Sequence, residues 1–250
     1  VETDHGAIAT DYVVVGVGPW VKQVWEMLDL PARIDVTDRQ GQTHSDVRMW
    51  HYQSLQEGTL GVDPGLQRTN AGRMPPVIHV DSDRPLYSDV DGRLITDRMW
   101  GIYYKPDFHF GGIQGGAAPV AVERDPDEVA VDPYGPESPD FVVGTAFAPM
   151  WVSALAFCQR RFSGTLPYYK DEPSGGLGCF TPDNFPVFDV FHQNCYFIAD
   201  SNHGYKMIGI GDLVSQELLG EPSALLAPFR FERYRTGELH PTSNSPFPWS

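Results

Sequence analysis

Two segments far apart in the chain constrain its fold most. One is Asp11-Tyr-Val-Val-Val-Gly-Val-Gly-Pro-Trp20. The other is Cys195-Tyr-Phe-Ile-Ala-Asp-Ser-Asn-His-Gly-Tyr-Lys-Met-Ile-Gly-Ile-Gly211. Each reads as a strand running into a glycine-containing turn and then a helix. Val13, Val14 and Val15 are consecutive rather than alternating, as expected for a strand covered on both faces. Val21, Val24, Trp25 and Leu28 follow at helical spacing, and Pro31 ends that helix. In the second segment a strand from Tyr196 to Ala199 precedes a turn over Asp200 to Gly204. A helix then runs from about Lys206 to Leu219, with Gly220 as its stop.

Between these ends the pattern changes. Pro76 to Val80, Arg84 to Tyr87, Met99 to Tyr104 and Phe108 to Ile113 read as short strands. Turn signals at Asp81-Ser-Asp, Asp91-Gly and Lys105-Pro-Asp separate them, which predicts an antiparallel sheet. Residues 121–140 are acidic and proline-rich, so they read as a surface loop. Ser138-Pro139 starts a helix that continues toward Arg161, with Pro149 kinking or dividing it. Residues 164–190 carry turns and short strands, and the Ser- and Pro-rich tail from Thr236 reads as an arm. The expected fold class is α/β, mixed with α+β character. Residues 1–31 and 167–235 form one domain, residues 32–166 a second domain with an antiparallel sheet, and residues 236–250 a C-terminal arm.

A chain of 250 residues, 41% of them hydrophobic, can bury one large core or two interleaved ones. A formal net charge of −15 argues against nucleic acid and against an anionic membrane surface. The longest apolar run, roughly Val142 to Cys158, is interrupted by Gly144, Thr145, Pro149 and Ser153, so no membrane span is expected. Cys158, Cys179 and Cys195 match neither zinc nor Cys-x-x-Cys spacing. Their odd number fits a reducing compartment. With no signal peptide visible at Val1-Glu-Thr-Asp, the expected location is cytoplasmic. His44, His51, His79 and His109 lack ligand spacing, so no metal site is expected. Trp50, Trp100 and Trp151 read as core or interface residues. Gly-x-Ser-x-Gly is absent.

Glycines at 16 and 18 would let the backbone approach a ligand closely. The helix start near Lys206 would offer unpaired N–H groups and partial positive charge. Together with Gly175-Gly-Leu-Gly-Cys-Phe-Thr-Pro-Asp183, the two segments resemble the second half of FAD-dependent oxidoreductases of the D-amino-acid oxidase and sarcosine oxidase type, which includes glycine oxidase-like members. Thr10 to Trp20 is similar to the family stretch that passes along the FAD, which implicates Gly16, Gly18 and Trp20. Ser201-Asn202-His203-Gly204-Tyr205-Lys206-Met207 is similar to the family's Gly-His-Gly-Phe-Lys, with Asn202 in place of the first glycine. The resemblance implies that Asn202, His203, Gly204, Tyr205, Lys206 and Met207 flank the flavin. Lys206 would stabilise reduced flavin or bind a substrate carboxylate; the alternative is a solvated lysine. His203 is equally readable as a structural turn residue. Thr181-Pro182-Asp183 resembles the turn beside the flavin. Some members attach FAD through a cysteine shortly before that turn. Gly176 occupies that place and Cys179 lies about three residues too late, so the resemblance implies non-covalent FAD.

Tyr103-Tyr104 and Gly111-Gly-Ile-Gln-Gly-Gly116 resemble the strand pair over the flavin face. Tyr103 or Tyr104 would contact substrate, or serve only as a sheet tyrosine. A gapless comparison places Gln114 where some oxidases carry a lysine that promotes reaction with oxygen. An amide supplies no such charge, so a dehydrogenase using another acceptor is as readable as an oxidase.

The implied activity is oxidation of a C–N bond in an amino acid or secondary amine, with hydride passing to the flavin. Alternatives are a non-catalytic assembly subunit and an alcohol-oxidising relative. The sequence has no Gly-x-Gly-x-x-Gly strand–helix segment to hold the pyrophosphate. The expected partner is a second polypeptide carrying that half, from a split gene or a cleaved precursor; the alternative is that the half lies upstream of Val1 in the same chain.

Overall fold

The computed structural model describes residues 1–74, 77–118, 145–170, 175–199 and 209–240. The chain is mixed α/β with several antiparallel sheets. It divides into two compact units. Val1–Gln53 and Gly178–Thr242 form the first, while Ser54–Leu177 and Ser243–Ser250 form the second. The sequence reading begins the middle domain at residue 32; the contacts group Val1–Gln53 with Gly178–Thr242.

In chain order the first unit opens with β1 (Glu2–Thr3), β2 (Gly6–Ala7), β3 (Val13–Val15) and α1 (Val21–Met27). The hairpin β4 (Arg33–Thr37) and β5 (Thr43–Arg48) follows, and then β6 (His51–Leu60), which runs on into the second unit. The second unit adds β7 (Ile78–Ser82), β8 (Leu86–Tyr87), β9 (Leu94–Thr96), β10 (Trp100–Asp107), β11 (Gly112–Ala118), α2 (Phe147–Cys158) and β12 (Tyr169–Lys170). The chain returns through β13 (Gly175–Phe180) to β14 (Val187–Val190), β15 (Cys195–Ala199), α3 (Ile210–Leu218) and α4 (Arg233–Thr236).

The first unit holds a sheet of order β14-β15-β3. β15 pairs antiparallel with β14 but parallel with β3, with Cys195 opposite Val13 and Phe197 opposite Val15. A parallel pair needs a long crossover, and here the Ser54–Leu177 part of the second unit is threaded between its two strands. Among the described residues β3 is an edge. The expectation that Val13–Val15 is covered on both faces is corrected: Val15 is buried, whereas Val14 is 48% exposed. Successive side chains of a strand point to opposite faces, and only the Val15 face meets the core.

Trp25 on α1 centres that core. Its ring lies 4.7 Å from Phe191, 5.4 Å from Phe197, 5.5 Å from Trp50 and 5.9 Å from Phe231, within the range that aromatic pairs favour. Its indole N–H donates to the Pro31 carbonyl at 2.9 Å, which fixes the end of α1. Gly220, at φ +92, follows α3 as the sequence reading expects.

In the second unit the strand order is β12-β6-β11-β10-β7, each neighbouring pair antiparallel, and β13 also pairs with β6. One face is apolar: Leu60, Ile102, Tyr104 and Ile113 pack with Phe147, Trp151 and Leu155 of α2. Trp100 and Trp151 are core residues, and in the first unit so is Trp50. Pro149 does not divide α2. It sits in the first turn, where backbone N–H groups have no intrahelical acceptor to lose. The Ser138-Pro139 start lies outside the described residues.

The strand expected over Phe108–Ile113 is also corrected. Residues 108–111 form the turn between β10 and β11, and the strand begins at Gly112. The Asp107 carboxylate accepts from the backbone N–H of His109 at 2.9 Å and of Phe110 at 3.0 Å, which closes that turn.

Candidate functional site

The first cluster of expected site residues lies at the C-terminal end of β3. Gly16 follows the strand directly, and Gly18, at φ +56, opens a short 3-10 turn through Trp20. A side chain at Gly16 or Gly18 would meet no atom within 4 Å, so the backbone there faces open space. Trp20 is half-buried and leads into α1. The Tyr52 hydroxyl donates to the Pro19 carbonyl at 2.6 Å and pins the turn. Burial, then the neighbouring Cys179, pushes the Tyr52 phenol above its ordinary range, so it stays a donor. Lys22 Nζ lies 5.7 Å from the Tyr52 ring centre, a cation–π distance. Because β15 runs parallel to β3, its C-terminal end at Ala199 lies on the same side of the sheet as Gly16. Open α/β sheets bind ligands at that end of their strands. Asn202, His203, Gly204, Tyr205, Lys206 and Met207 lie outside the described residues.

The Thr181-Pro182-Asp183 turn is buried, and its carboxylate is committed to the protein. Arg233 Nε and Nη2 donate to the two Asp183 oxygens at 2.8 and 2.9 Å. The Phe185 N–H, the Thr181 hydroxyl and the Tyr234 hydroxyl also donate to Asp183. Burial alone would raise the Asp183 carboxyl. Hydrogen bonds from Arg233 and its charge, with help from Phe185 and Thr181, outweigh that and hold it below the ordinary carboxylate value. This turn therefore ties β13 to α4 and has no carboxylate to spare for a ligand. Sequence reasoning did not pair Asp183 with Arg233, because the two are far apart in the chain.

The second cluster lies on the polar face of the second unit's sheet. Tyr103 on β10 stands opposite His79 on β7 and Gly116 on β11, and Gly116 stands opposite Glu57 on β6. The next row holds Lys105, Gln114 and Thr59. Because strand side chains alternate, these residues share the face opposite Ile102 and Tyr104. The Tyr103 hydroxyl donates to Glu57 Oε1 across Gly116. The Gln114 amide donates to Glu57 Oε2 at 3.5 Å, a long contact. The rings of His79 and Tyr103 stack at 5.9 Å.

Glycine is required at 116. A Cβ there would come within 2.6 Å of the Tyr103 ring and 2.9 Å of the Gln56 carbonyl oxygen. At Gly112 it would meet the Leu60 carbonyl oxygen at 2.2 Å. The glycine run thus serves close strand approach and lets the phenol lie over β11. Tyr104, by contrast, faces the apolar core, and its hydroxyl accepts from the Gln159 amide at 2.5 Å. It is a core residue. Glu57 was missed in the sequence. The Gln56-Glu-Gly-Thr59 stretch has no apolar alternation, and its place beside Tyr103 and Gln114 comes only from strand register.

Among the described residues no group of three or more His, Cys, Asp or Glu is placed to hold a metal ion. No described helix is long and apolar enough to cross a membrane.

No protein-family model and no curated protein sequence matches the chain. Solved structures do. A fructosyl peptide oxidase from E. terrenum aligns with 95% of this chain and 50% of its own, at TM-score 0.50 and 16% identity. A thermally stable fructosyl peptide oxidase mutant aligns over 98% and 54%, at 0.50 and 16%. A modified fructosyl peptide oxidase from Aspergillus nidulans aligns over 90% and 46%, at 0.51 and 16%. The chain has the fold of these oxidases. It spans about half the length of each. At this identity the likeness shows the fold alone.

Proposed function

We propose that the chain is part of an FAD-dependent oxidoreductase that oxidises the C–N bond of an amino acid or secondary amine to an imine. The observation that carries the reading is that 95% of the chain follows half of a fructosyl peptide oxidase. The residues fit a dinucleotide. Gly16 and Gly18 leave open space at the C-terminal end of a parallel strand pair. Gly16, Gly18 and Trp20 would line the cofactor, joined by Asn202, His203, Gly204, Tyr205, Lys206 and Met207. A bound flavin would supply the hydride acceptor. Tyr103 and Gln114 would face the substrate, with Gln114 bringing an amide and no positive charge.

Non-covalent attachment is supported by Cys179, which is fully buried in the first unit, and by Gly176, which offers no sulfur. Cys158, Cys179 and Cys195 form no disulfide, which is compatible with a cytoplasmic protein. A second polypeptide carrying the pyrophosphate-binding half is the proposed partner. The open edge of β3, with Val14 exposed, supports it, because an unpaired apolar edge strand favours pairing with another chain.

The test is the visible spectrum of the protein as purified, followed by anaerobic mixing with fructosylvaline and with D- and L-amino acids. Flavin absorbance that bleaches with an amine supports the reading. Absorbance that bleaches only with hydroxy compounds overturns it in favour of alcohol oxidation. A preparation without flavin, in complex with its partner, makes the chain an assembly subunit.

A further inference from the structure

We infer that Glu57 is the specificity residue of this site and takes the positively charged nitrogen of the substrate. The inference rests on the amine reading above and deepens it. Its basis is the charge on the polar face of the second unit's sheet. Glu57 is half-buried and accepts from two neutral groups, the Tyr103 phenol and the Gln114 amide. Among the described residues no lysine or arginine pairs with it. Lys105 lies one row away on the same face, yet its ion pair is with Asp107, at 3.9 Å.

A carboxylate removed from bulk water is stabilised by hydrogen bonds, and more strongly by a cation. The two neutral donors orient the Glu57 oxygens without cancelling their charge. An ionised carboxylate can accept about four hydrogen bonds, and Tyr103 and Gln114 use two. The rest are available to an ammonium group.

The neighbouring residues keep this arrangement in place. Gly116 has no side chain, so the Tyr103 ring crosses β11 and reaches Glu57; any Cβ at 116 would push it away. His79 stacks on the other side of Tyr103 and limits its movement. Tyr103 is thus a positioning residue for Glu57. Gln114 decides the sign of the site. A lysine there would place an internal ammonium beside Glu57 and compete with the ligand, whereas the amide leaves the carboxylate charge standing.

The ligand chemistry is a protonated amine. A hydroxy compound of the same shape would leave the Glu57 charge unpaired, so the site discriminates between amino and hydroxy substrates.

The experiment uses α-aminoisobutyrate and its isostere α-hydroxyisobutyrate. Neither carries hydrogen on the carbon that bears its nitrogen or hydroxyl, so neither can be oxidised there. Both are titrated calorimetrically into the protein as purified, with its partner and flavin. The wild type is expected to favour the amino probe. Glu57→Gln should weaken the amino probe by about 10- to 100-fold, the range for a hydrogen bond to a charged group, and leave the hydroxy probe unchanged. Gln114→Lys should erase the same preference while retaining Glu57, which covers the case in which Glu57→Gln fails to fold. Circular dichroism of each variant reports folding.

If Glu57→Gln folds and still favours the amino probe, the assignment of Glu57 is wrong, while the amine reading stands on flavin bleaching. If the wild type shows no preference, or binds neither probe, cation recognition at this face is overturned. Bleaching by amines then decides separately whether amine oxidation survives.

Discussion

Replacing Arg233 with methionine removes the cation from a buried carboxylate. Its side chain is 2% exposed and that of Asp183 4%. All five guanidinium N–H groups find acceptors: both Asp183 oxygens and the carbonyls of Phe185, Phe229 and Arg230, with the Tyr234 hydroxyl as a further contact at 2.6 Å. The variant keeps the Asp183 charge but leaves it only neutral donors. Removing one partner of a buried pair costs about 3–5 kcal/mol. At about 2–4 °C per kcal/mol for a chain of this length, the melting midpoint should fall by roughly 6–20 °C.

The pair is also expected to be sensitive to acid. Because the folded Asp183 carboxyl lies below its ordinary value, its contribution is complete above the ordinary carboxylate range. It is lost as pH falls through the folded value. Asp183→Asn should remove that acid-sensitive component. The combination Asp183→Leu with Arg233→Met should recover most of the lost stability, since apolar replacement of a buried pair is often neutral. Thermal melts followed by circular dichroism, repeated from neutral to acid pH, provide the assay. An unchanged midpoint for Arg233→Met would refute the reasoning. So would a double variant as unstable as the sum of its parts.

Gly116→Ala should displace the Tyr103 ring from Glu57 and destabilise the second unit by about 1–3 kcal/mol, the usual cost of overpacking; urea unfolding measures it. Gly237→Ala combines a φ of +78 with a Cβ 2.7 Å from the Asp38 carbonyl oxygen, whereas Gly164→Ala has φ +75 and open space. Both should lose stability in urea, by more than about 1 kcal/mol at 237 and by less at 164. Val14→Lys should leave the melting of the isolated chain unchanged but prevent assembly with a second polypeptide, which native mass spectrometry would register. Intact assembly in that variant would remove the β3 edge from the proposed interface.

Local signals in the sequence were enough for α1, β15 and the end of α3. Each has its own periodicity and its own stop: Pro31 after the first helix, Gly220 after the last. They also sufficed for the mixed α/β class and for an antiparallel middle section, although of the expected turns only Asp91-Gly92 lies between strands; Asp81-Ser82 falls in β7 and Lys105-Pro-Asp107 in β10. They failed where the backbone conformation depended on a side chain folding back on it. The Asp107 carboxylate turned residues 108–111 into a loop that reads as a strand. They failed again at β6, whose buried Thr59 and half-buried Glu57 break the expected alternation.

The sequence by itself therefore determined which segments form strands and helices wherever periodicity and terminators act within a few residues. Through its glycines at 112, 115 and 116, it also marked where backbone comes close to something else. The tertiary structure alone decided what meets what. It brought Arg233 to Asp183, β15 parallel to β3 across an inserted unit, and Glu57 to Tyr103 over Gly116. Those pairings depend on strand register and chain path, and a one-residue slip in register turns every side chain of a strand to the other face. No local pattern carries that information.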